Sequence, residues 1–279
     1  MKQCILVIAL FLAVHVNFSQ EKAIRVEVIG EGDPILFLPG FTVPGSVWRP
    51  TLENLKTKNE SHLFSYAGFN GVTPVKMPWY ATVKEEIFEY IVENNLKKFR
   101  IIGHSMGGNL AIDIAAEFPE RVEKMILVDA IPCIREVMMP GVPASNLQYE
   151  SSYNNRMLGM DDAQFNGMAM NMASGMTSKK EKVSVLANWM QKADRTTYVY
   201  GYTDLLKLDL RMSLKSVKAE TLILAASFPN AAMIQANYEK QYANLSNKTI
   251  EMVANSKHFI MFDQPEWFYK TVNTFLGYE

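Results

Sequence analysis

This chain of 279 residues has few cysteines and few histidines, and neither sign of charge is in excess. Two cysteines cannot form the framework of several disulfides that holds small secreted domains together. The four histidines are spread along the chain and provide few ligands for a metal cluster. With 28 Lys and Arg against 29 Asp and Glu, there is no positive field that could neutralise a run of phosphates, so we expect no nucleic-acid partner.

The chain also lacks a hydrophobic run of about 20 residues, the length that a membrane-spanning helix needs. Its longest candidate, residues 4–14, follows Lys2 and precedes a polar stretch that ends at Gln20. This order of charge, apolar segment and polar exit is typical of an export signal, although an uncleaved anchor or a buried first strand is an alternative. We therefore predict that residues 1–20 are removed and that the protein is exported, to the periplasm or the medium, without stable membrane insertion.

Short β-branched and aromatic runs alternate with helical patterns along the rest of the chain. Such alternation predicts an α/β fold with a mostly parallel central sheet flanked by helices. The predicted strands are 23–30, 34–39, 62–67, 99–104, 124–130, 220–226 and 248–254. The predicted helices are 82–94, 109–117 and 265–276.

Residues 132–219 interrupt this alternation of strands and helices, because they contain no convincing strand pattern. A compact domain does not tolerate a structureless loop of that length, so we predict a small helical insertion. Ten of the seventeen methionines lie in it. Adaptable methionine side chains suit a surface that repacks around apolar ligands, and they equally suit the core of a helical subdomain.

The most informative segment is residues 99–108, in which Gly103, Ser105 and Gly107 form a G-x-S-x-G pattern between an apolar strand and a helix. A serine on a sharp strand-to-helix turn projects its hydroxyl above the sheet, and the flanking glycines remove side chains that would collide there. The N–H groups at the start of the helix favour negative charge forming on a substrate. Ser105 is therefore the candidate nucleophile. We expect His104 to be a packed and hydrogen-bonded histidine.

This segment, with the alternation of strands and helices, resembles the α/β-hydrolase fold family, in its lid-bearing branch that includes serine esterases. The resemblance extends from about residue 23 to the C-terminus and is weak only within the insertion. It implies a hydrolase core formed by residues 21–131 and 220–279. Residues 132–219 would then be a helical lid over the site.

Two further segments resemble parts of the family's catalytic machinery. Residues 38–41 are similar to its H-G-x oxyanion loop, which implies that the backbone N–H groups of Phe41 and Met106 bind the oxyanion. Pro39 stands where the family usually has histidine. Near the end of the chain, His258 lies in a segment similar to the family's G-H-F, which implies that it is the general base of Ser105.

The acid that would orient His258 departs from the commonest pattern of the family. An aspartate usually follows the strand that corresponds to 220–226, but residues 227–232 contain no carboxylate. Asp129, at the end of the preceding strand, is the first candidate, because some family members take their acid from that strand. Asn230 is the second, since an amide can hold a histidine tautomer without stabilising its charge as well. The third possibility is that no acid is present.

Three more residues resemble structural supports of the family. Asp209 and Arg211 resemble a structural ion pair that precedes the strand at 220–226. Asp263 resembles a residue at the start of the closing helix, behind His258.

A serine with a histidine base points to acyl transfer through an acyl-enzyme, with no cofactor and no metal needed. The expected substrate is a small, mainly apolar carboxylic ester. An aspartate nucleophile would have indicated dehalogenation or epoxide opening, and serine argues against both. The same residues could serve a carbon-carbon bond hydrolase, a lactonase or an amidase. A weakly catalytic ligand-binding receptor, or a protein that acts only through its surface, remains an alternative of a different class.

Overall fold

A computed structural model describes residues 22–278. The predicted export signal at residues 1–20 lies outside these described residues. None of the helices between residues 22 and 278 is both long and apolar enough to cross a membrane.

Seven strands form one sheet, in the spatial order β1-β3-β2-β4-β5-β6-β7. The strands are β1 (Ile24–Ile29), β2 (Asp33–Leu38), β3 (Asn59–Tyr66), β4 (Phe99–His104), β5 (Val122–Val128), β6 (Glu220–Ala226) and β7 (Lys248–Val253). Strand β1 is antiparallel to β3, and the other neighbouring pairs are parallel. The predicted α/β fold with a mostly parallel central sheet is confirmed.

The inner strands are apolar because helices cover both faces of the sheet, which leaves no face for water. Residues 35–38 of β2 and residues 125–128 of β5 have no exposed surface. Strands β4, β5 and β7 are parallel, so the segments that follow their carboxyl ends lie along one edge of the sheet. Ser105, Asp129 and His258 all belong to such segments.

The helices of the described chain are α1 (Arg49–Glu53), α2 (Trp79–Glu93), α3 (Met106–Glu117), α4 (Ile134–Met138), α5 (Ser152–Leu158), α6 (Asp162–Met176), α7 (Lys180–Gln191), α8 (Arg195–Lys207), α9 (Ala231–Gln241), α10 (Ile260–Asp263) and α11 (Pro265–Leu276). Short 3₁₀ helices occupy Gly45–Trp48, Ala144–Asn146 and Ser213–Ser216. Helix α11 has the predicted bounds, with Pro265 in its first turn, where the missing N–H costs nothing.

Helix α3 begins at Met106, three residues before the predicted start. Its first turn contains Gly107 and Gly108, which have poor helix propensity and no apolar side chain to continue the periodic pattern. Tertiary packing overrides that propensity, because α3 lies directly against β2, β4 and β5. A methyl group on Gly107 would approach the carbonyl oxygen of Leu38 to 2.1 Å, so only glycine allows this close contact.

The segment 132–219 holds helices α4 to α8 and two of the 3₁₀ helices. Helices α6 and α7 pack against each other, and α8 packs against α2, α4 and α5. Several side chains from this segment line the cavity above Ser105, among them Met172, Trp189 and Tyr202. That the segment acts as a lid stays a prediction.

Candidate active site

Ser105 occupies the turn between β4 and α3. Its backbone has φ 54° and ψ −123°, a conformation that side-chain-bearing residues rarely adopt and that costs roughly 1–3 kcal/mol. The turn is held by the Ser105 N–H, which donates to the carbonyl oxygen of Val128 at 2.9 Å, and by the Ser105 carbonyl, which accepts from Gly108 N–H at 2.8 Å. A strained residue in a loop above the sheet, held by its neighbours, is a common feature of functional sites.

The loop after β2 passes close to this turn. A methyl group placed on Gly40 would lie 3.2 Å from Cβ of Ser105 and 2.9 Å from Nδ1 of His104. Glycine at position 40 therefore lets the backbone of residues 39–41 approach the serine. This approach is possible without the histidine that the family usually has in the place of Pro39.

The imidazole of His258 is hydrogen-bonded to the carboxylate of Asp129. Nδ1 of His258 donates to Oδ2 of Asp129 at 2.6 Å. The other carboxylate oxygen, Oδ1, accepts from the N–H of Ala226 at 3.0 Å and from the hydroxyl of Tyr238 at 2.9 Å. The side chains of His258 and Asp129 are 28% and 16% exposed, so solvent screens the Asp129 carboxylate from the imidazole only weakly.

Two opposing effects set the pKa of Asp129. Burial raises it, because the charged form loses its hydration. The hydrogen bond and charge of His258, with the bonds from Ala226 and Tyr238, lower it and outweigh burial. The pKa of Asp129 therefore lies below its ordinary value, and the group is a carboxylate at neutral pH.

Sheet topology explains why Asp129 meets His258. Asp129 follows β5 directly, and β5 lies beside β6, which lies beside β7. The N–H of Asp129 extends the ladder by donating to the carbonyl of Leu224 at 2.8 Å. The second candidate, Asn230, does something else: its Oδ1 accepts from Met233 N–H at 3.0 Å and caps the start of α9.

Ser105 and His258 line the same cavity, of about 370 Å³. Within residues 22–278, no hydrogen bond joins the Ser105 hydroxyl to the His258 imidazole. In enzymes without bound substrate, such bonds are often long and become shorter when the substrate binds. The structure thus joins His258 to Asp129 directly, and it brings Ser105 to the same cavity.

Phe41 and Met106 also line this cavity. Their backbone N–H groups donate no hydrogen bond inside the described chain. The N–H of Met106 is free because it is the first residue of α3, where the helix offers no acceptor. The ring of Phe41 is held by edge contacts with Phe69 and Trp79, at 4.8 and 5.4 Å between ring centroids.

His104 is fully buried and supports the loop that carries His258. Its Nε2 donates to the backbone carbonyl of His258 at 3.0 Å, and the two rings lie 4.6 Å apart. Burial, and then the nearby His258, lower the pKa of His104 to about 3. Its ring is therefore neutral, with the proton on Nε2, and its Nδ1 has no partner within the part of the chain described.

The resemblance to the family implies that Asp263 begins the closing helix, but the structure places it before that helix. It is the last residue of α10, and Gln264 precedes the first turn of α11. The carboxylate accepts from Thr177 Oγ1 at 2.6 Å, from Ser178 N–H at 2.9 Å and from Lys257 N–H at 2.8 Å. Asp263 thus ties the end of α6 to the His258 loop. A local helix-start pattern could not indicate such long-range partners.

Tyr238 is a second contact that sequence reasoning missed. It lies within α9, and its buried hydroxyl reaches Asp129 across 109 residues of sequence. No local pattern distinguishes it from any other tyrosine on the inner face of a helix. The pair Asp209 and Arg211, by contrast, is joined as expected, with guanidinium-to-carboxylate bonds of 2.8 and 2.6 Å.

The lining of the cavity is mostly apolar. The apolar side chains that line it are Phe41, Val43, Met106, Ile131, Ile134, Met172, Met176, Leu186, Trp189, Met190, Leu205, Ala226, Phe228, Ile234 and Phe259. Lys257 also lines the cavity, and its Nζ donates to the carbonyl of Ser174 at 2.8 Å. Between residues 22 and 278, no three His, Cys, Asp or Glu side chains form a group that could hold a metal ion.

Two methyl ester esterases are similar to this chain, one over part of its length and the other over most of it. The chain is 34% identical over 113 residues to the pimeloyl-(acyl-carrier protein) methyl ester esterase of Nitrosospira multiformis. That match covers 39% of this chain and 43% of the other protein, so the chain spans less than half of that relative. It is 22% identical to the Aeromonas hydrophila protein of the same name, over 91% of this chain and 100% of that one.

The fold is similar to those of solved hydrolases. An esterase from Exiguobacterium antarcticum superposes with a TM-score of 0.76 at 19% identity, over 92% of this chain and 98% of that one. A model of the family described as "Alpha/beta hydrolase family" matches residues 35–271, which include the turn at Ser105, Asp129 and His258. The chain therefore belongs to the α/β hydrolase family.

Proposed function

We propose that this protein is a serine hydrolase that cleaves small, mainly apolar carboxylic esters through an acyl-enzyme. The observation that carries the proposal is the 2.6 Å bond between Asp129 and His258 at the cavity that also holds the strained Ser105. The two relatives described above, which are methyl ester esterases, support hydrolysis of an ester.

In the proposed reaction, Nε2 of His258 takes the hydroxyl proton as Oγ of Ser105 attacks the ester carbonyl carbon. The carbonyl oxygen becomes an oxyanion, which the N–H groups of Phe41 and Met106 stabilise. The imidazolium then gives its proton to the leaving alkoxide as the carbon-oxygen bond breaks. Water, deprotonated by His258, then attacks the acyl carbon. The imidazolium returns this proton to Oγ as the bond between the acyl carbon and Oγ breaks, which releases the carboxylic acid and restores Ser105. Asp129 stabilises the imidazolium in both halves of the reaction.

The apolar lining of the cavity supports the substrate class. An uncharged acyl or alcohol portion is stabilised when it leaves water for such a surface, whereas a cationic peptide loses hydration without a matching partner. Asp129 is a poor partner for a substrate cation, because its carboxylate is already occupied by three donors.

The proposal is tested by comparing an aryl ester with a charged peptide. We expect 4-nitrophenyl butyrate to be hydrolysed with kcat/KM on the order of 10⁴ M⁻¹ s⁻¹ or above, the lower end of ordinary enzymes. We expect a lysine-containing peptide 4-nitroanilide to react at least 100-fold more slowly. Preferential turnover of the charged peptide would overturn the substrate class, and turnover of neither compound would overturn the enzymatic function.

We propose in addition that the protein is exported after removal of residues 1–20. The order of Lys2, apolar segment and polar exit supports this. When the full chain is expressed, N-terminal sequencing of protein from the periplasm or the medium is expected to begin at Glu21. Recovery of the uncleaved chain from the cytoplasm or the membrane fraction would contradict export.

A further inference from the structure

A second cavity lies within the helical segment 132–219. Its volume, about 370 Å³, equals that of the cavity above Ser105. Its walls come from α4, α5, α6 and α8 and from the residues around the 3₁₀ helix Ala144–Asn146. Among the described residues that line it, none carries a formal charge.

The two cavities share a wall. Met172, Tyr198 and Tyr202 line both of them. The hydroxyl of Tyr198 donates to Sδ of Met172 at 3.4 Å, and the hydroxyl of Tyr202 donates to Sδ of Met138 at 3.4 Å. Thioether sulfur is a weak acceptor, and methionine has three rotatable bonds, so Met172 is the part of this wall that moves at the least energetic cost.

Two polar side chains around the second cavity, Asn154 and Thr203, already have partners inside the protein. The amide of Asn154 donates to the carbonyls of Gln148 and Tyr149 and to Oγ1 of Thr203. Thr203 in turn donates to the carbonyl of Val199. An occupant therefore finds few polar groups in need of a hydrogen bond. The occupant instead contacts methionine, leucine and tyrosine side chains, which favours an apolar chain.

The shared wall lies on the side of the oxyanion loop. The rings of Tyr198 and Tyr202 are 5.8 and 6.0 Å from the ring of Phe41. In ester hydrolysis the leaving alcohol must be within reach of His258, which protonates it. The acyl portion, bonded to Ser105, is then the part of the substrate that is free to extend towards the shared wall.

We propose that the second cavity receives the distal part of an unbranched, uncharged acyl chain of medium length, whose ester carbonyl lies at Ser105. This inference rests on the proposed function and narrows its substrate class to esters of medium-chain fatty acids. Each methylene that leaves water for an apolar pocket raises kcat/KM about fourfold. The preference for a long over a short acyl chain is therefore large.

The test compares 4-nitrophenyl decanoate with 4-nitrophenyl butyrate below their aggregation limits. We expect the wild-type protein to favour decanoate by about 100-fold in kcat/KM, which is less than six methylenes could give. Met168→Trp fills the second cavity from α6, and we expect it to lower the decanoate-to-butyrate ratio at least tenfold. Leu147→Trp fills the same cavity from the opposite side and serves if the first variant does not fold.

The matched control is Met170→Trp. Met170 lies on the same helix, is 43% exposed and lines neither cavity. The Met170→Trp variant carries the same new side chain, and we expect its decanoate-to-butyrate ratio of kcat/KM to equal that of the wild type. An equal fall in all three variants, or no fall in either filled variant, would overturn the inference.

Binding distinguishes failure of this inference from failure of the proposed function. If neither ester is hydrolysed, the proposed function fails, and Ser105→Ala protein is titrated with methyl decanoate and methyl butyrate by tryptophan fluorescence. Tighter binding of methyl decanoate that is lost in the double variant with Met168→Trp supports the second cavity as a chain-binding site. Equal affinity for the two esters overturns it. If butyrate and decanoate are hydrolysed equally well, only the chain-binding inference fails.

Discussion

Ser105→Ala is expected to lower kcat for aryl ester hydrolysis by a factor of at least 10⁴ and up to about 10⁶. The hydroxyl is the proposed nucleophile, and alanine keeps Cβ while removing only Oγ. The strained turn stays intact, because backbone bonds to Val128 and from Gly108 hold it. Substrate affinity and thermal stability are therefore expected to stay near their wild-type values. Steady-state kinetics and calorimetry of the purified variant check both parts of the expectation.

The control for this variant is Ser46→Ala. Ser46 is exposed, lies in the 3₁₀ helix Gly45–Trp48 and lines neither cavity. Its kcat and kcat/KM are expected to equal those of the wild type. Undiminished turnover by a folded Ser105→Ala protein would mean that another group attacks the ester, and the proposed mechanism would be wrong.

Asp129→Asn is expected to lower kcat by about 10⁴, as loss of the correct histidine tautomer does in serine hydrolases. Oδ1 of residue 129 accepts from Ala226 N–H and Tyr238, so the carbonyl oxygen of asparagine keeps that place. Its NH₂ group then faces Nδ1 of His258 and donates to it. The imidazole proton moves to Nε2, which can no longer accept a proton from Ser105. A tautomer of this kind is visible in the ¹⁵N spectrum of His258.

The control for the acid is Asn230→Ala. Its side chain caps α9, so we expect a loss of stability of about 1 kcal/mol and a change in kcat of less than threefold. The opposite pattern, in which only Asn230→Ala abolishes turnover in a folded protein, would remove Asp129 from the proposed mechanism. Unfolding in urea, measured on both variants, separates lost activity from lost stability.

The sequence was informative about Ser105 because its requirements are local. A strand, a turn with glycines and a helix follow one another within ten residues, and each has its own residue pattern. His258 could be proposed from its place after the last strand. The choice between Asp129 and Asn230 could not be made in the same way. It depends on β5 and β6 being neighbours, and on the side chain of Asn230 turning back to its own helix.

Strand bounds show the same division between local and tertiary causes. The predicted strand 62–67 begins at Asn59 in the structure. Residues 59–61 are polar or small and have no apolar alternation, so their pattern predicts a loop. They are extended because Asn59 pairs with Asp33 of β2 and Ser61 pairs with Ile29 of β1 and Ile35 of β2. Such pairing is a property of the assembled sheet.

The helical segment was the least predictable part. Its methionines suited a ligand surface and a helical core equally well, and the structure contains both situations. Met190 is buried in the core and also lines the cavity above Ser105, whereas Met138 and Met168 line the second cavity. Whether a methionine faces a void depends on how α5, α6 and α8 pack. The sequence period of a single helix does not contain that information.

The central claim, that the Ser105 hydroxyl is activated by His258, is tested most directly by covalent labelling. The protein is treated with a fluorophosphonate, and the modified peptide is mapped by mass spectrometry. We expect one adduct per chain, on the oxygen of Ser105, with labelling absent in Ser105→Ala and slowed at least 100-fold in His258→Ala. An adduct on any other residue, or equally fast labelling of Ser105 without His258, would contradict it.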